Sequence, residues 1–146
     1  MFVINKMNIQ HHDEVISMMQ EFYSSEAVFT NGSLKIFEND FLNCINDCPF
    51  LEGYVFKEKD EILGYAMLAK SFSTEFGKSC IWFEDLYIKP LFREKGIVSQ
   101  FIKQIKLQYP EAVFRLEVEK ENEHAIHVYK NFDFVELPYM EMVSNC

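Results

Sequence analysis

The chain has 146 residues, of which 49% are hydrophobic and 16% aromatic, and it carries a formal net charge of −9. This length suits a single domain, residues 1–146, with its own apolar core, and the aromatic content excludes a disordered chain. The negative charge argues against nucleic acid as a partner, because such binding depends on Lys and Arg side chains that neutralise phosphates.

The N-terminus and the cysteines bear on location. Residues 1–6 contain no apolar run long enough for a signal peptide or a membrane span, so we expect no membrane contact. The spacing of the cysteines is not that of a disulfide framework. They are Cys44, Cys48, Cys80 and Cys146. Free thiols are typical of a reducing compartment, which predicts a cytoplasmic protein.

The period of the apolar residues predicts the elements in the first half of the chain. A short strand at residues 2–5 precedes a helix that starts near Asp13 and a second helix capped by Ser33. Three β-prone runs follow at residues 53–57, 62–68 and 80–88. Because short links join them, we predict an antiparallel meander.

The second half of the chain predicts a crossover. A helix begins after Gly96, a strand covers residues 113–119, Asn122 caps a short helix, and residues 132–143 supply one or two closing strands. A strand joined to the next through a helix forms a βαβ unit, so these two strands should run parallel. The sequence therefore predicts an α/β domain in the order β-α-α-β-β-β-α-β-α-β. A ligand is expected at the C-terminal ends of the parallel strands.

Residues 84–98 join the last strand of the meander to the following helix through a short basic turn. Gly96 marks the start of the helix. Such a connection presents free backbone N–H groups and the positive end of a helix dipole, which suits a phosphate group. An ordinary connection, in which Gly96 only permits a tight turn, is the alternative.

This turn resembles the pyrophosphate loop of the GNAT family of N-acetyltransferases. The family pattern is Arg/Gln-x-x-Gly-x-Gly/Ala, and Arg93, Gly96 and Val98 occupy its three marked positions. Val98 departs from the small residue usual at the last position. A valine there crowds the helix start, unless its side chain points away from the backbone that meets the pyrophosphate.

A second motif of the same family follows in the expected place. Asn122, Ala125, Tyr129 and Phe134 match the family's N-x-x-A-x-x-x-Y-x-x-x-G-F pattern, with Asp133 in place of the glycine. An aspartate can adopt the left-handed conformation of that turn at some cost. The resemblance extends over nearly the whole chain and implies a mixed sheet whose central parallel strands are splayed apart.

The resemblance also implies that the protein binds acetyl-CoA as acetyl donor. In the family a bulge in the first parallel strand opens the splay, and the thioester lies in the gap. The pyrophosphate lies on the backbone N–H groups of the loop, and the pantetheine arm follows the edge of the bulged strand. The cofactor-binding residues implied here are Leu86, Tyr87, Ile88, Arg93, Glu94, Lys95, Gly96, Ile97, Val98, Ser99, Asn122 and Ala125.

Carboxylates are candidates for handling the acceptor amine. An alkylamine with a pKa of about 10 is almost fully protonated at neutral pH, so a carboxylate that accepts its proton favours transfer. Residues 82–87 resemble the polyamine and small-amine branch of the family, in which the position of Glu84 has this role. Glu117 is the next candidate for base and acceptor contact, and Glu26 is a weaker contact candidate. For each, a structural or solvated carboxylate is the alternative.

Tyr129 stands at the position where the family places the tyrosine that protonates the leaving thiolate. A buried core tyrosine is the alternative. The N–H group of Ile88 is the implied donor to the developing oxyanion. His124 and His127 lie three residues apart, but no further ligand pattern accompanies them, so we expect a solvated face and no metal.

These inferences predict a cytoplasmic acetyl-CoA-dependent N-acetyltransferase that acts on a small amine by direct transfer, with Tyr129 and Glu84 as catalytic residues. Two alternatives stay open. One is acetylation of a protein N-terminus or lysine, and the other is a non-catalytic module that binds acyl-CoA. The family resemblance also allows a homodimer.

Overall fold

The computed structural model describes residues 1–146, which form one five-stranded sheet with helices on both faces. The strands lie in the spatial order β1 (Val3–Lys6), β2 (Leu51–Glu58), β3 (Glu61–Ser73), β4 (Lys78–Ile88) and β5 (Val113–Leu116). The helices are α1 (His12–Tyr23), α2 (Leu34–Ile45), α3 (Ile97–Gln108) and α4 (Glu123–Lys130), with 3₁₀ turns at Ile9–His11 and Pro90–Phe92. No helix combines the length and the apolar character needed to cross a bilayer.

The sheet is mixed. Strands β1 to β4 pair in antiparallel fashion, whereas β4 and β5 are parallel and are connected through α3. This connection is the βαβ unit that the sequence predicts. The predicted α/β class, with an antiparallel first part and parallel strands in the second, is confirmed.

Side-chain caps start two of the helices. The hydroxyl of Ser33 accepts a hydrogen bond from the N–H of Ile36 at the start of α2. The side-chain oxygen of Asn122 accepts one from the N–H of Ala125 at the start of α4. Both predicted caps are confirmed, and caps of this kind typically contribute about 1 kcal/mol.

Each face of the sheet carries its own apolar core. On one face, α1 and α2 cover a cluster that includes the fully buried Val15, Met19 and Phe41. On the other face, α3 presents Phe101 and Ile102 to the sheet, also fully buried. Two helical layers on one sheet bury both of its faces, so the sheet itself is rigid support for loops at its edge.

A bulge interrupts β4 at Glu84. In the register with β3, Phe83 lies opposite Leu68 and Asp85 opposite Met67, so Glu84 has no partner. The parallel ladder with β5 ends one residue earlier, at the pair of Phe83 and Leu116. A bulge bends its strand and increases the local twist, which explains why β4 and β5 diverge from this point.

The prediction of strands in the C-terminal part of the chain is wrong in two respects. Strand β5 stops at Leu116 rather than at residue 119, and residues 132–143 form no strand. Asp133 adopts the left-handed conformation that was expected (φ 68°), and the N–H of Phe134 bonds to the carbonyl of Tyr129. Beyond this turn the chain pairs with no strand, not even with the open edge of β5, and Pro138 has no N–H to donate.

Candidate active site

A groove opens where β4 and β5 diverge, and it encloses about 1160 Å³. Its walls come from β4, the loop before α3, residues 116–119 at the end of β5, one side of α4, and the segment between α1 and α2. Except for Lys95, all the residues predicted for the site lie in its walls. They are Glu26, Glu84, Leu86, Tyr87, Ile88, Arg93, Glu94, Gly96, Ile97, Val98, Ser99, Glu117, Asn122, Ala125 and Tyr129.

The turn that leads into α3 has unused backbone donors. The N–H groups of residues 94–99 donate to no backbone group of the protein, and no side chain caps the helix. Unpaired N–H groups and the helix dipole together make a binding surface for an anion. These residues fit the pyrophosphate of acetyl-CoA, which they would hold through the backbone.

The conformation of this turn explains its glycine. Glu94 and Gly96 both have positive φ angles, 61° and 81°. A Cβ atom built on Gly96 would meet no heavy atom within 4 Å, so space is not the constraint. The left-handed backbone is the constraint, because it costs other residues about 1–2 kcal/mol. Successive N–H groups in such a turn point to one side and form a concave donor surface.

Arg93 is placed differently from the expectation. Its own N–H donates to the carbonyl of Pro90 at 3.4 Å, and its Nε donates to the carbonyl of Ile88 at 2.8 Å. Its guanidinium also lies 5.6 Å from the ring centre of Tyr87. Arg93 thus braces the loop against β4, and the free N–H groups begin at Glu94.

The side chains of Val98 and Lys95 contribute no polar group to the groove. The half-buried side chain of Val98 packs against the apolar cluster that includes Phe101, so the core accommodates the valine while its N–H stays free. The side chain of Lys95 lies outside the groove wall, with its ammonium 5.9 Å from the ring centre of Phe92. Only the backbone N–H of Lys95 remains available to a phosphate.

The edge of β4 next to the groove also has free backbone groups. The N–H of Lys89 donates to the carbonyl of Leu63 on β3, at 2.9 Å. Since consecutive N–H groups of a strand point to opposite edges, the N–H of Ile88 points away from β3. No strand pairs with β4 there, because the ladder with β5 has ended. This N–H suits the oxyanion role implied for Ile88.

Tyr129 reaches the groove from α4. Its half-buried ring packs against the apolar cluster under the sheet and lies 5.9 Å from the ring of Phe134. Burial is the one cause that raises the pKa of its hydroxyl, and no hydrogen-bond partner contributes to the shift. The phenol therefore keeps its proton at neutral pH and is free to donate it to a ligand.

Glu84 is exposed to the groove because the bulge in β4 releases it from the ladder. The pKa of its carboxyl is raised, chiefly by partial burial and further by the negative charges of Asp85 and Glu141. A carboxylate with a raised pKa is a stronger base. Glu84 therefore has the properties required of a proton acceptor for an ammonium group.

A second carboxylate pair lies beside Glu84. The carboxyl group of Glu141 lies beside that of Glu117 and can share a proton with it, which together with burial raises the pKa of Glu117 to about 7. Glu141 belongs to the C-terminal segment and was missed from the sequence. Its strand-like pattern contained no motif, and only the folded chain brings it to β5. The pair adds negative charge to the acceptor side of the groove.

Three further predicted residues, Glu26, Asn122 and Ala125, also lie in the walls of the groove. Glu26 is exposed in the segment between α1 and α2. Ala125 lines the groove, and the side chain of Asn122 is used as the cap of α4. His124 is exposed, as expected, but it also lines the groove, and its Nδ1 lies 3.5 Å from Oε1 of Glu94.

Known proteins share this sequence pattern. The model of the Acetyltransferase (GNAT) family matches residues 14–134. A thialysine N-epsilon-acetyltransferase of Sus scrofa is 32% identical over 110 residues, which are 73% of this chain and 62% of that protein. A Bos taurus protein of the same name is 36% identical over 72 residues, which are 47% of this chain and 42% of that protein. The matches thus span less than two thirds of these relatives.

Solved structures share the fold. A possible acetyltransferase from Clostridium difficile 630 has a TM-score of 0.80 at 19% identity, covering 99% of this chain and 97% of that chain. A predicted acetyltransferase with acetyl-CoA from Clostridium acetobutylicum has a TM-score of 0.80 at 17% identity, covering 99% and 96%. At such identities the likeness concerns the fold alone. The family model, however, matches most of the sequence, and the chain therefore belongs to the GNAT family of acetyltransferases.

Proposed function

We propose that this protein transfers the acetyl group of acetyl-CoA to a primary amine of a small molecule. One observation carries the proposal: Glu84 from β4 and Tyr129 from α4 line one groove, beside the free N–H groups of residues 94–99. A base, an acid and an anion-binding turn in one groove are the parts that direct acetyl transfer requires.

Each part has a role in the proposed reaction. Bound acetyl-CoA would supply the activated acetyl thioester. Residues 94–99 would hold its pyrophosphate, and the N–H of Ile88 would donate to the carbonyl oxygen as that atom gains negative charge. Glu84 would bind the ammonium group of the acceptor and accept its proton. Tyr129 would donate a proton to the departing thiolate.

The acceptor side of the groove supports a cationic substrate. Glu26, Glu84 and Glu117 all lie in its walls, and Glu141 lies beside Glu117. Convergent carboxylates attract an ammonium group and disfavour an anionic acceptor. The names of the pig and cattle relatives, which refer to the ε-nitrogen of thialysine, agree with an amine acceptor of this kind.

The direct test measures release of the free CoA thiol from acetyl-CoA across a panel of acceptors. The panel contains diamines, polyamines, amino acids, aminoglycosides and peptides. We expect turnover with small amines, and we expect Glu84→Gln to lower kcat/KM about 100-fold, because general-base catalysis contributes about that much or more. Glu111→Gln is the matched control, since Glu111 is exposed and outside the groove.

Other results would contradict the proposal. Tight binding of acetyl-CoA without turnover of any amine would identify a non-catalytic acyl-CoA-binding module. Turnover limited to peptides and proteins would identify an enzyme that acetylates a protein N-terminus or lysine.

A further inference from the structure

Asp85 is a buried carboxylate that none of the roles above uses. Its exposed fraction is 4%, and two tyrosine hydroxyls donate hydrogen bonds to it. Tyr23 donates to Oδ1 and Tyr65 to Oδ2, each at 2.8 Å. Tyr65 is fully buried, whereas Tyr23 lies in the wall of the groove. Tyr23 therefore connects the carboxylate in the core to the wall of the proposed active site.

Asp85 also follows the bulge residue Glu84 directly. Asp85 faces α1, where it meets Tyr23, whereas Glu84 lines the groove. The charge of Asp85 is the second cause, after burial, of the raised pKa of Glu84. The ionisation of the buried carboxylate thus influences the basicity of the carboxylate in the groove.

We propose that Asp85 is a positioning residue for the acceptor side of the groove, which fixes the hydroxyl of Tyr23 and holds a buried negative charge behind Glu84. The inference rests on the proposed function. A hydroxyl has a single proton, so Tyr23, which donates it to Asp85, keeps only acceptor lone pairs. Tyr23 lines the groove, and the orientation of its side chain depends on the hydrogen bond to Asp85.

The surroundings of Asp85 contain no cation that would neutralise it. The titratable groups facing it are Tyr23 on α1, Asp40 and Cys44 on α2, Tyr65 on β3 and Glu84 on β4. Burial is the main cause that raises the pKa of Asp85, the two tyrosine hydroxyls oppose it and Asp40 adds to it, and together they bring the pKa to about 6. Asp85 is consequently charged at neutral pH and loses its charge as the pH falls through about 6.

The variant Asp85→Asn tests this role, because it keeps the shape of the side chain and removes the charge. The pKa of Glu84 should fall, which carboxyl ¹³C NMR measures on protein labelled at glutamate, with the Glu84 signal assigned by its loss in Glu84→Gln. The acid limb of the profile of kcat/KM against pH should move to lower pH in parallel. The KM for the amine should rise up to about tenfold, since the loss of one hydrogen bond changes affinity by that much.

A folded Asp85→Asn protein whose Glu84 titration and acid limb are unchanged would overturn the inference. If that variant does not fold, Tyr65→Phe decides. It removes one donor from Asp85, which raises the pKa of Asp85 and reduces its charge. The pKa of Glu84 should therefore fall, as in Asp85→Asn. An unchanged pKa of Glu84 would overturn the inference. Tyr54→Phe is the matched control, because it removes a buried tyrosine bond to Glu52 away from the groove and should leave both readouts unchanged.

The NMR titration separates this inference from the proposed function, since it requires no turnover. A fall in the pKa of Glu84 in Asp85→Asn supports the inference even where the wild-type protein acetylates no amine, and then only the proposed function fails. Amine turnover by the wild-type protein, with both readouts unchanged in Asp85→Asn, removes the positioning role and leaves the proposed function intact.

Discussion

Phe83 of β4 and Leu116 of β5 are the last paired residues of the parallel ladder. The next residue on each strand, Glu84 and Glu117, is a carboxylate in the wall of the groove. Strand pairing therefore ends where the acidic wall begins. On this edge of β4 the carbonyl of Ile88 accepts a hydrogen bond from Arg93, whereas the N–H of Ile88 is left for a ligand.

Tyr129→Phe should lower kcat about 100-fold and leave the affinity for acetyl-CoA nearly unchanged, because it removes only the proton donor. The change keeps the ring that packs against the core. Stopped-flow or steady-state thiol release measures kcat, and calorimetry measures binding. Tyr139→Phe is the control, since Tyr139 is exposed and lies outside the groove. An unaltered kcat would remove Tyr129 from the acid role.

Gly96→Ala should weaken acetyl-CoA binding several-fold, because alanine disfavours the positive φ of the turn by about 1–2 kcal/mol. The control is Gly77→Ala. Gly77 has a φ of +64° with equally open space around it, but it lies outside the groove. Calorimetric titration of both variants with acetyl-CoA compares them. Equal affinities would show that the turn does not contact the cofactor.

Phe101→Ala should reduce the free energy of unfolding by about 3–5 kcal/mol, the usual cost of a large cavity in a core. Phe101 is fully buried, with Phe56 and Tyr54 ring centres 5.1 and 5.4 Å away. Phe50→Ala, at a residue 69% exposed, should cost about 0.5 kcal/mol or less. Urea unfolding measures both, and similar losses in the two variants would contradict the placement of the core.

The pair of Glu117 and Glu141 predicts a pH effect on stability. The pKa of Glu117 is about 7 in the folded protein against an ordinary 4.5, so between these values the folded state binds more protons than the unfolded state. This contribution therefore favours folding at low pH and is lost as the pH rises to about 7. Relative to Glu117→Gln, the wild-type protein should lose stability between about pH 5 and pH 8. Urea unfolding at both values tests this, and a constant difference would refute it.

The successes and failures of the sequence-based predictions have physical causes. Helix caps such as Ser33 and Asn122 act within one turn of the chain, so the local sequence predicts them correctly. Residues 132–143 have the composition of strands, but a strand also needs backbone pairing with a neighbouring strand. Local composition does not show whether that pairing forms. That is why the predicted closing strands are absent and why Glu141 was missed.

By itself, the sequence determined the order of elements from β1 to α4, the crossover through α3, and the motif residues of the two family patterns, because each depends on local spacing. Only the tertiary structure decided that Arg93 braces the loop, that Glu84 occupies a bulge, and that Asp85 binds Tyr23 and Tyr65. These features arise from contacts between distant segments. Their energies depend on burial and on neighbouring charges, which exist only once the sheet and its helices have packed.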